Sequence, residues 1–348
     1  MNTKPDNSAE RSSPSRIMDV GMGFWPAKTL LSAVELGVFT ELGGDGMTGD
    51  QLQSALGLHP RANPDFFDTL VALHFLERDG DGPAARYRNT QETAASLDKN
   101  SDSYIGGFLE MANSRLYGYW GGLTEALKTG EPQNEIKLTG KSMFAELYHD
   151  PDRLEQFINA MAGISAPNFQ AFADKFDFSR YDSLCDVGGA TGQLSMMVAE
   201  RHSHMRCISA DLPGVTAIAK RNIETAGLAD RVTAQSLDFL KESLPRADVI
   251  TMGMILHDWN LDNKMRLIQA AYDALPDGGA FVVIENIIDD ARRENAFGLM
   301  MSLNMLVEFG DAFDFTGADF SEWCQSVGFR DTAIIPLAGP ASAGVAYK

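Results

Sequence analysis

The stretch from Asp186 to Ser195, DVGGATGQLS, sets Gly188, Gly189 and Gly192 between an acidic residue and an amphipathic run. Such a loop lets backbone approach a ligand closely and turns a helix N-terminus towards it. The dinucleotide fingerprint GxGxxG fails in both frames. From Gly188 its third and sixth places hold Ala190 and Gln193, and from Gly189 they hold Thr191 and Leu194. No Gly-Lys-Ser/Thr of a P-loop follows. The next apolar run ends in Asp211, followed by Leu212, where a carboxylate can accept both hydroxyls of a ribose. The run after that leads into SLDFL, which offers Asp238 as acceptor for an amino group and Phe239 as an apolar face for a purine. Taken together these residues describe an adenosyl pocket with no pyrophosphate site. Any one of the acids alone also fits a solvated strand-end carboxylate. His202 and His204 form an HxH pair at a helix end among charges, with no third ligand near, so no metal site is expected.

These residues need a frame that puts strand ends side by side. From Tyr181 onward the apolar runs YDSLCDV, RCISADL, RVTAQSL, ADVITMGMIL and AFVVIEN read as strands. GQLSMMVAERH, PGVTAIAKRNIETAG and LDNKMRLIQAAYDALPDGG read as helices. Continuous apolar strands separated by helices imply a doubly wound α/β fold with a parallel sheet covered on both faces. Ligands bind at the carboxyl ends of its strands, where the glycines and acids sit.

Upstream, Phe24 to Thr93 reads as three helices, the second capped by Thr48, and a hairpin whose return strand is ARYRNT: the layout of a winged helix. Its third helix carries Asp65, Asp68 and Glu77 against Arg61 and Arg78, and the 348-residue chain has a net charge of -19. Nucleic-acid affinity comes largely from Lys and Arg, so DNA and RNA are not expected partners. Dimerisation or substrate gating remains. The helical residues 101–180 are rich in Met, Phe, Tyr and Trp and read as a linker that helps build a dimer contact and roofs a pocket. The expected organisation is a disordered tail over 1–16, a winged-helix module over 17–100, the helical linker over 101–180 and the α/β domain over 181–348. Cys185, Cys207 and Cys324 show no CxxC spacing and read as buried thiols in a reducing compartment. The polar N-terminus lacks the apolar segment of a secretory signal, and no run approaches the roughly 20 apolar residues of a membrane span. A cytoplasmic protein with no membrane partner is expected.

DVGGATG, ADLPGV, SLDFL, ILHDW, DGGAFVVIEN and TGADFSEWCQSVGF follow one another in the order of a known family's motifs. Over nearly all of its length beyond the tail, the chain resembles the S-adenosylmethionine-dependent small-molecule O-methyltransferases of plants and bacteria. The resemblance implies a Rossmann-like class I methyltransferase domain, an N-terminal winged-helix dimerisation domain, a homodimer, S-adenosylmethionine as co-substrate, no metal and a small-molecule acceptor. It implies that His257, in the HDW motif, is the general base that removes a hydroxyl proton, flanked by Glu285 and Asp314. Read alone, His257 fits equally a packed histidine satisfied by a backbone partner. The chain departs from the family at Asp314–Phe315, where Glu-Arg is usual, and at Gly253 of the cofactor set, where many relatives carry Lys. The acceptor wall is expected from Phe157, Met161, Met301, Asn304 and Met305. Met301 and Met305 share a helical face, a spacing that also fits a plain core.

The most direct reading is O-methylation of a small hydroxylated metabolite. S-methylation of a thioether acid stands second. A thioether has no proton to lose, and its sulfonium product would be stabilised by Glu285, Glu308, Asp311 or Asp314. The region ENIIDDARRENAFGLMMSLNMLVEFGDAFDFTGADF is similar to the bacterial methylthiohydroxybutyrate S-methyltransferases of dimethylsulfoniopropionate synthesis. A winged-helix regulator with a degenerate cofactor domain is the reading from another class; the near-complete set of cofactor acids and the acidic surface count against it. A dehydrogenase conflicts with the failed GxGxxG.

Overall fold

The computed structural model describes residues 14–101, 103–140 and 151–348. Residues 1–13 of the expected tail, and 102 and 141–150 of the expected linker, lie outside the described residues. The chain divides into two units, Met1–Asn113 and Ser114–Lys348.

In the first unit, α1 (Ser15–Gly21), α2 (Phe24–Glu35) and α3 (Val38–Leu42) precede β1 (Met47–Thr48), α4 (Gly49–Ala55) and α5 (Asp65–Ala72). Strands β2 (Leu76–Asp79) and β3 (Arg86–Asn89) and helices α6 (Gln91–Ser96) and α7 (Gly106–Met111) complete it. The first of the three expected helices is split in two, because Gly37 at φ +74° ends α2 and opens α3. Thr48 caps α4 in a capping box: its hydroxyl accepts from Gln51 N, and the Gln51 side chain accepts from Thr48 N. The return strand β3 pairs with β2 as expected and also with the short β1, which was not foreseen. Val34, Phe39, Leu52, Phe67, Leu70 and Tyr87 form this unit's core.

The second unit holds a seven-stranded sheet in the order β6-β5-β4-β7-β8-β10-β9. Its strands are β4 (Ser183–Val187), β5 (Arg206–Asp211), β6 (Val232–Ser236), β7 (Val249–Gly253), β8 (Ala280–Glu285), β9 (Asp331–Pro336) and β10 (Ser342–Tyr347). The five expected strands are parallel. The hairpin β9–β10 pairs antiparallel with β8, so the sheet is mixed rather than wholly parallel. It escaped the periodicity because PLAGPASAG reads only as a turn, while β10 is a strand of small residues whose apolar character appears only beside the fully buried β8.

The helices of this unit are α8 (Tyr117–Tyr119), α9 (Leu123–Thr129), α10 (Glu135–Thr139), α11 (Pro151–Lys175), α12 (Gln193–Arg201), α13 (Pro213–Thr225), α14 (Leu261–Ala274), α15 (Ala296–Phe309) and α16 (Gly317–Val327). Alternate strand residues serve two cores. Cys185, Ile250, Phe281 and Val283 pack with Leu267 and Ile268 of α14, whereas Leu184, Val249, Val282 and Ile284 pack with Phe172 of α11 and Leu194 of α12. All three cysteines are free and buried. Among the described residues, no helix is long and apolar enough to cross a membrane.

Candidate active site

Where β4 ends, Val187 passes into the glycine loop and then into α12. Gly188 and Gly192 take φ of +74° and +78°, and a Cβ on Gly188 would lie 2.4 Å from the Ile255 side chain. Only glycine fits there, which explains the spacing by backbone need. The carboxylate of Asp211, at the end of β5, holds the loop: one oxygen accepts from Ala190 N at 3.0 Å and the other from Leu212 N at 2.7 Å. Burial raises the Asp211 pKa and these two N–H groups oppose the rise. A carboxylate oxygen takes more than one donor, so both oxygens can still accept ribose hydroxyls. Asp186, buried under the loop, accepts from Thr251 Oγ1 at 2.7 Å and ties β4 to β7. Nearby, Ser209 Oγ and Gln193 Oε1 are buried without a hydrogen-bond partner. These orphaned groups and the crowded glycines fit a polar ligand lying over the loop.

Asp238 and Phe239 follow β6. Asp238 pairs with Lys241 at 2.7 Å, and Phe239 meets Trp259 edge to face with centroids 6.3 Å apart. Gly253 ends β7, where a Cβ would come within 3.0 Å of the Phe169 ring of α11. The room that a larger side chain would need at 253 is taken by that aromatic.

Beyond Gly253 the chain turns sharply through Met254 at φ +55°. Glu285, at the end of β8, steadies this turn: its Oε1 accepts from Ile255 N at 3.1 Å and from Leu256 N at 3.0 Å. The 3-10 turn Leu256–Asp258 then delivers His257 into the interior, 5 % exposed. His257 Nδ1 lies 3.5 Å from Asp314 Oδ1 and 3.8 Å from Glu285 Oε2, and Nε2 lies 3.3 Å from Asp258 Oδ1. Nδ1 of His257, Oε2 of Glu285 and Oδ2 of Asp314 are buried and make no hydrogen bond. The structure therefore brings the three expected catalytic residues together and adds Asp258. The plainer alternative, a histidine satisfied by a backbone partner, does not describe it. By contrast, His202 and His204 are each satisfied that way, by the carbonyls of Ala173 and Phe178.

Burial pushes His257 down, but the charges of Glu285, Asp258 and Asp314 outweigh it and raise the imidazole to about 10. Burial raises Glu285 to about 7, against the pull of the imidazolium. These shifts leave the imidazole more basic than the Glu285 and Asp258 carboxylates beside it. His257, Glu285 and Asp314 have donor-type atoms within 4.8 Å of one another, a separation one cation spans. No metal is assigned to these residues.

The expected acceptor residues fall in two places. Phe157 and Met161 share α11; Phe157, like Ala190 of the glycine loop, packs against the cluster of Leu154, Ile158, Val215 and Ile218. Met301, Asn304 and Met305 share α15, which packs against the turn carrying His257 and whose Ser302 Oγ accepts from Asp314 N at 3.2 Å. Asn304 Oδ1 accepts from Trp120 Nε1 at 2.8 Å, so an indole not singled out from the sequence joins this wall. Arg115, bridging Glu135 and Glu308, braces the C-terminal end of α15.

Lys264 was also missed. It is fully buried on α14, and its Nζ donates to Trp259 O and sits 4.0 Å above the Phe313 ring. Its spacing held the signal, for Lys264, Leu267, Ile268 and Ala271 form one helical stripe.

A mixed sheet with a glycine loop, a strand-end acid on β5 and a buried histidine beyond β7 defines a class I methyltransferase. The comparisons agree. An O-methyltransferase domain matches residues 120–330 and an O-methyltransferase dimerisation domain matches residues 18–97. The chain is 35% identical to the tetracenomycin polyketide synthesis 8-O-methyl transferase TcmO of Streptomyces glaucescens, over 96% of this chain and 97% of that one. It is 33% identical to the N,N-dimethyltransferase OxyT of Streptomyces rimosus, over 90% of each chain. Human N-acetylserotonin methyltransferase in complex with S-adenosylmethionine superposes with a TM-score of 0.88 at 26% identity, over 98% of this chain and 99% of that one. The protein belongs to the S-adenosylmethionine-dependent O-methyltransferase family, an enzyme class that acts on small metabolites.

Proposed function

We propose that the protein methylates a phenolic hydroxyl of a small aromatic metabolite, with His257 as general base. The observation that carries this reading is the burial of His257 among Asp258, Glu285 and Asp314. An imidazole at about 10 matches a phenol, whose ordinary pKa is also about 10, so proton transfer between them is nearly isoenergetic. An aliphatic alcohol is far less acidic and gains little from the same base. The relatives' acceptors point the same way: TcmO is an 8-O-methyl transferase of polyketide synthesis, and another relative, at 30% identity, is a 3-hydroxy-5-methyl-1-naphthoate 3-O-methyltransferase. Trp120, Met301 and Met305, with the polar Asn304, suit a flat ring bearing polar groups.

S-adenosylmethionine supplies an activated methyl group on sulfur. Asp211 would accept from its ribose, Gly188, Gly189 and Gly192 would leave room for it beside the loop, and Asp238 and Phe239 with Leu212 and Gly253 would border the adenosyl end. Phe157 and Met161 lie on the glycine-loop side and Met301, Asn304 and Met305 on the base side, where they hold the acceptor. Glu285 and Asp314 stabilise the imidazolium formed when His257 takes the proton. The module over 17–100 pairs two copies in a homodimer, and three free buried thiols suit the cytoplasm. Incubation with methyl-labelled S-adenosylmethionine and a panel of phenols, aliphatic hydroxy acids and thioether acids tests the reading. Label should enter phenols; label confined to thioether acids would overturn it.

A further inference from the structure

We infer that Lys264 is a positioning residue of the active site, its buried ammonium offsetting the carboxylates that surround His257. The catalytic meaning of this rests on the role proposed for His257; its test does not.

The geometry is that of one charge pinned from two sides. Lys264 Nζ donates to the carbonyl of Trp259, the residue after Asp258. The same ammonium lies 4.0 Å from the centroid of Phe313 and 5.9 Å from that of Phe315, the two rings that flank Asp314. The two segments that present Asp258 and Asp314 to His257 therefore share one cation. Burying an ammonium is costly, and the stripe it interrupts on α14, with Leu267, Ile268 and Ala271, would pack an apolar side chain at no such cost. The position holds a charge where packing alone would favour none.

The groups that face it are acidic. Glu285 from β8, Asp314 and Asp311 from the segment after α15, and Asp258 from the histidine turn all hold its proton, against burial that lowers Lys264 to about 8. Glu308 of α15 adds negative charge at Asp258. Coupling between charges is reciprocal, and the ammonium in turn lowers the proton affinity of Asp258. Without it, that carboxylate beside His257 would keep its proton to higher pH. A lysine serving only to tie down the Trp259 carbonyl would leave that titration unmoved.

The full-length protein is labelled with ¹³Cγ-aspartate, with Asp258 assigned by its loss in Asp258→Asn. The pH midpoint of Asp258, which lies below that of Lys264 so that the ammonium is present throughout, is then compared in wild type, Lys264→Met and Lys264→Arg. In Lys264→Met it should move up by about one unit or more, and in Lys264→Arg it should stay near wild type. An unmoved midpoint in folded Lys264→Met, or equal movement in both variants, overturns the inference. Should Lys264→Met fail to fold, the reciprocal measurement decides. With ¹³Cε-lysine label, and Lys264 assigned through Lys264→Arg, its own midpoint should fall in Glu285→Gln; no change there overturns it. If His257 is not the base, turnover survives in His257→Gln while these midpoints still move, so the two failures are distinguishable.

Discussion

The two units treat charge and apolar surface in opposite ways. In the first unit the ion pairs Arg61–Asp65 and Arg88–Asp79 lie in solvent, while Ile17, Val20 and Trp25 stand 75%, 77% and 62% exposed and α1 buries no residue. In the second, apolar side chains fill two cores and His257, Lys264, Glu285 and Asp314 are among the buried charged groups. Exposed ion pairs contribute little, whereas buried charges change one another's proton affinity by units. Apolar surface left outside is surface for a partner, and charge taken inside is charge for chemistry.

The sharpest way to break this contrast is at His257. His257→Gln should lower turnover of a phenolic acceptor by about 10²–10⁴-fold while S-adenosylhomocysteine affinity, read by calorimetry, stays unchanged. In the wild type the base form is the minority at neutral pH, so kcat/KM should rise about tenfold per pH unit until the limb bends near 10. Glu285→Gln keeps an acceptor oxygen for Ile255 N and Leu256 N but removes a charge, so that bend should move to lower pH. The stability sign is separate. A raised folded-state value means that the imidazolium's contribution is fully present below its ordinary value of about 6.5 and is lost as pH rises through about 10. A rate profile flat from pH 6 to 9 would remove His257 from the proton transfer.

The second test is on the other unit. Val20→Asp with Trp25→Asp places charge on the exposed face of α1 and α2 and should turn a dimer into a monomer by light scattering, with the fold retained. A double variant that still runs as a dimer would move the contact elsewhere.

How much of this was legible follows the same divide between local and distant cause. The glycine loop, Asp211 and the HDW turn could be read because each is a short segment whose chemistry follows from its own backbone: a left-handed Gly188, an acid at a strand end, a histidine after one. The hairpin β9–β10 could not, since its small residues become a strand only against β8. Trp120 finds Asn304 across more than 180 positions of chain, and nothing in either segment announces the other. Lys264 lay between these cases. Its place in an apolar stripe was visible, but the carboxylates that justify its burial come from three other segments. His257, Glu285 and Asp314 were named together through the resemblance, and the fold adds Asp258 as a further carboxylate beside the ring.

The smallest effect expected is at Asp211, and it asks whether a half-buried acid of the second unit serves a ligand or only its own loop. Its two oxygens already hold Ala190 N and Leu212 N, so a structural role alone would explain their positions. Asp211→Asn separates the two. The amide keeps one acceptor oxygen but turns an NH₂ towards a backbone donor, and it loses the charge that strengthens hydrogen bonds to ribose hydroxyls. Loss of one charge-assisted pair costs about 1.5–3 kcal/mol, so S-adenosylhomocysteine affinity should fall at least about tenfold by calorimetry. The ligand-free protein should melt within a few degrees of wild type, because burial already disfavours the Asp211 carboxylate there. Unchanged affinity with a lowered melting temperature would assign Asp211 to the loop and leave the ribose to another acceptor.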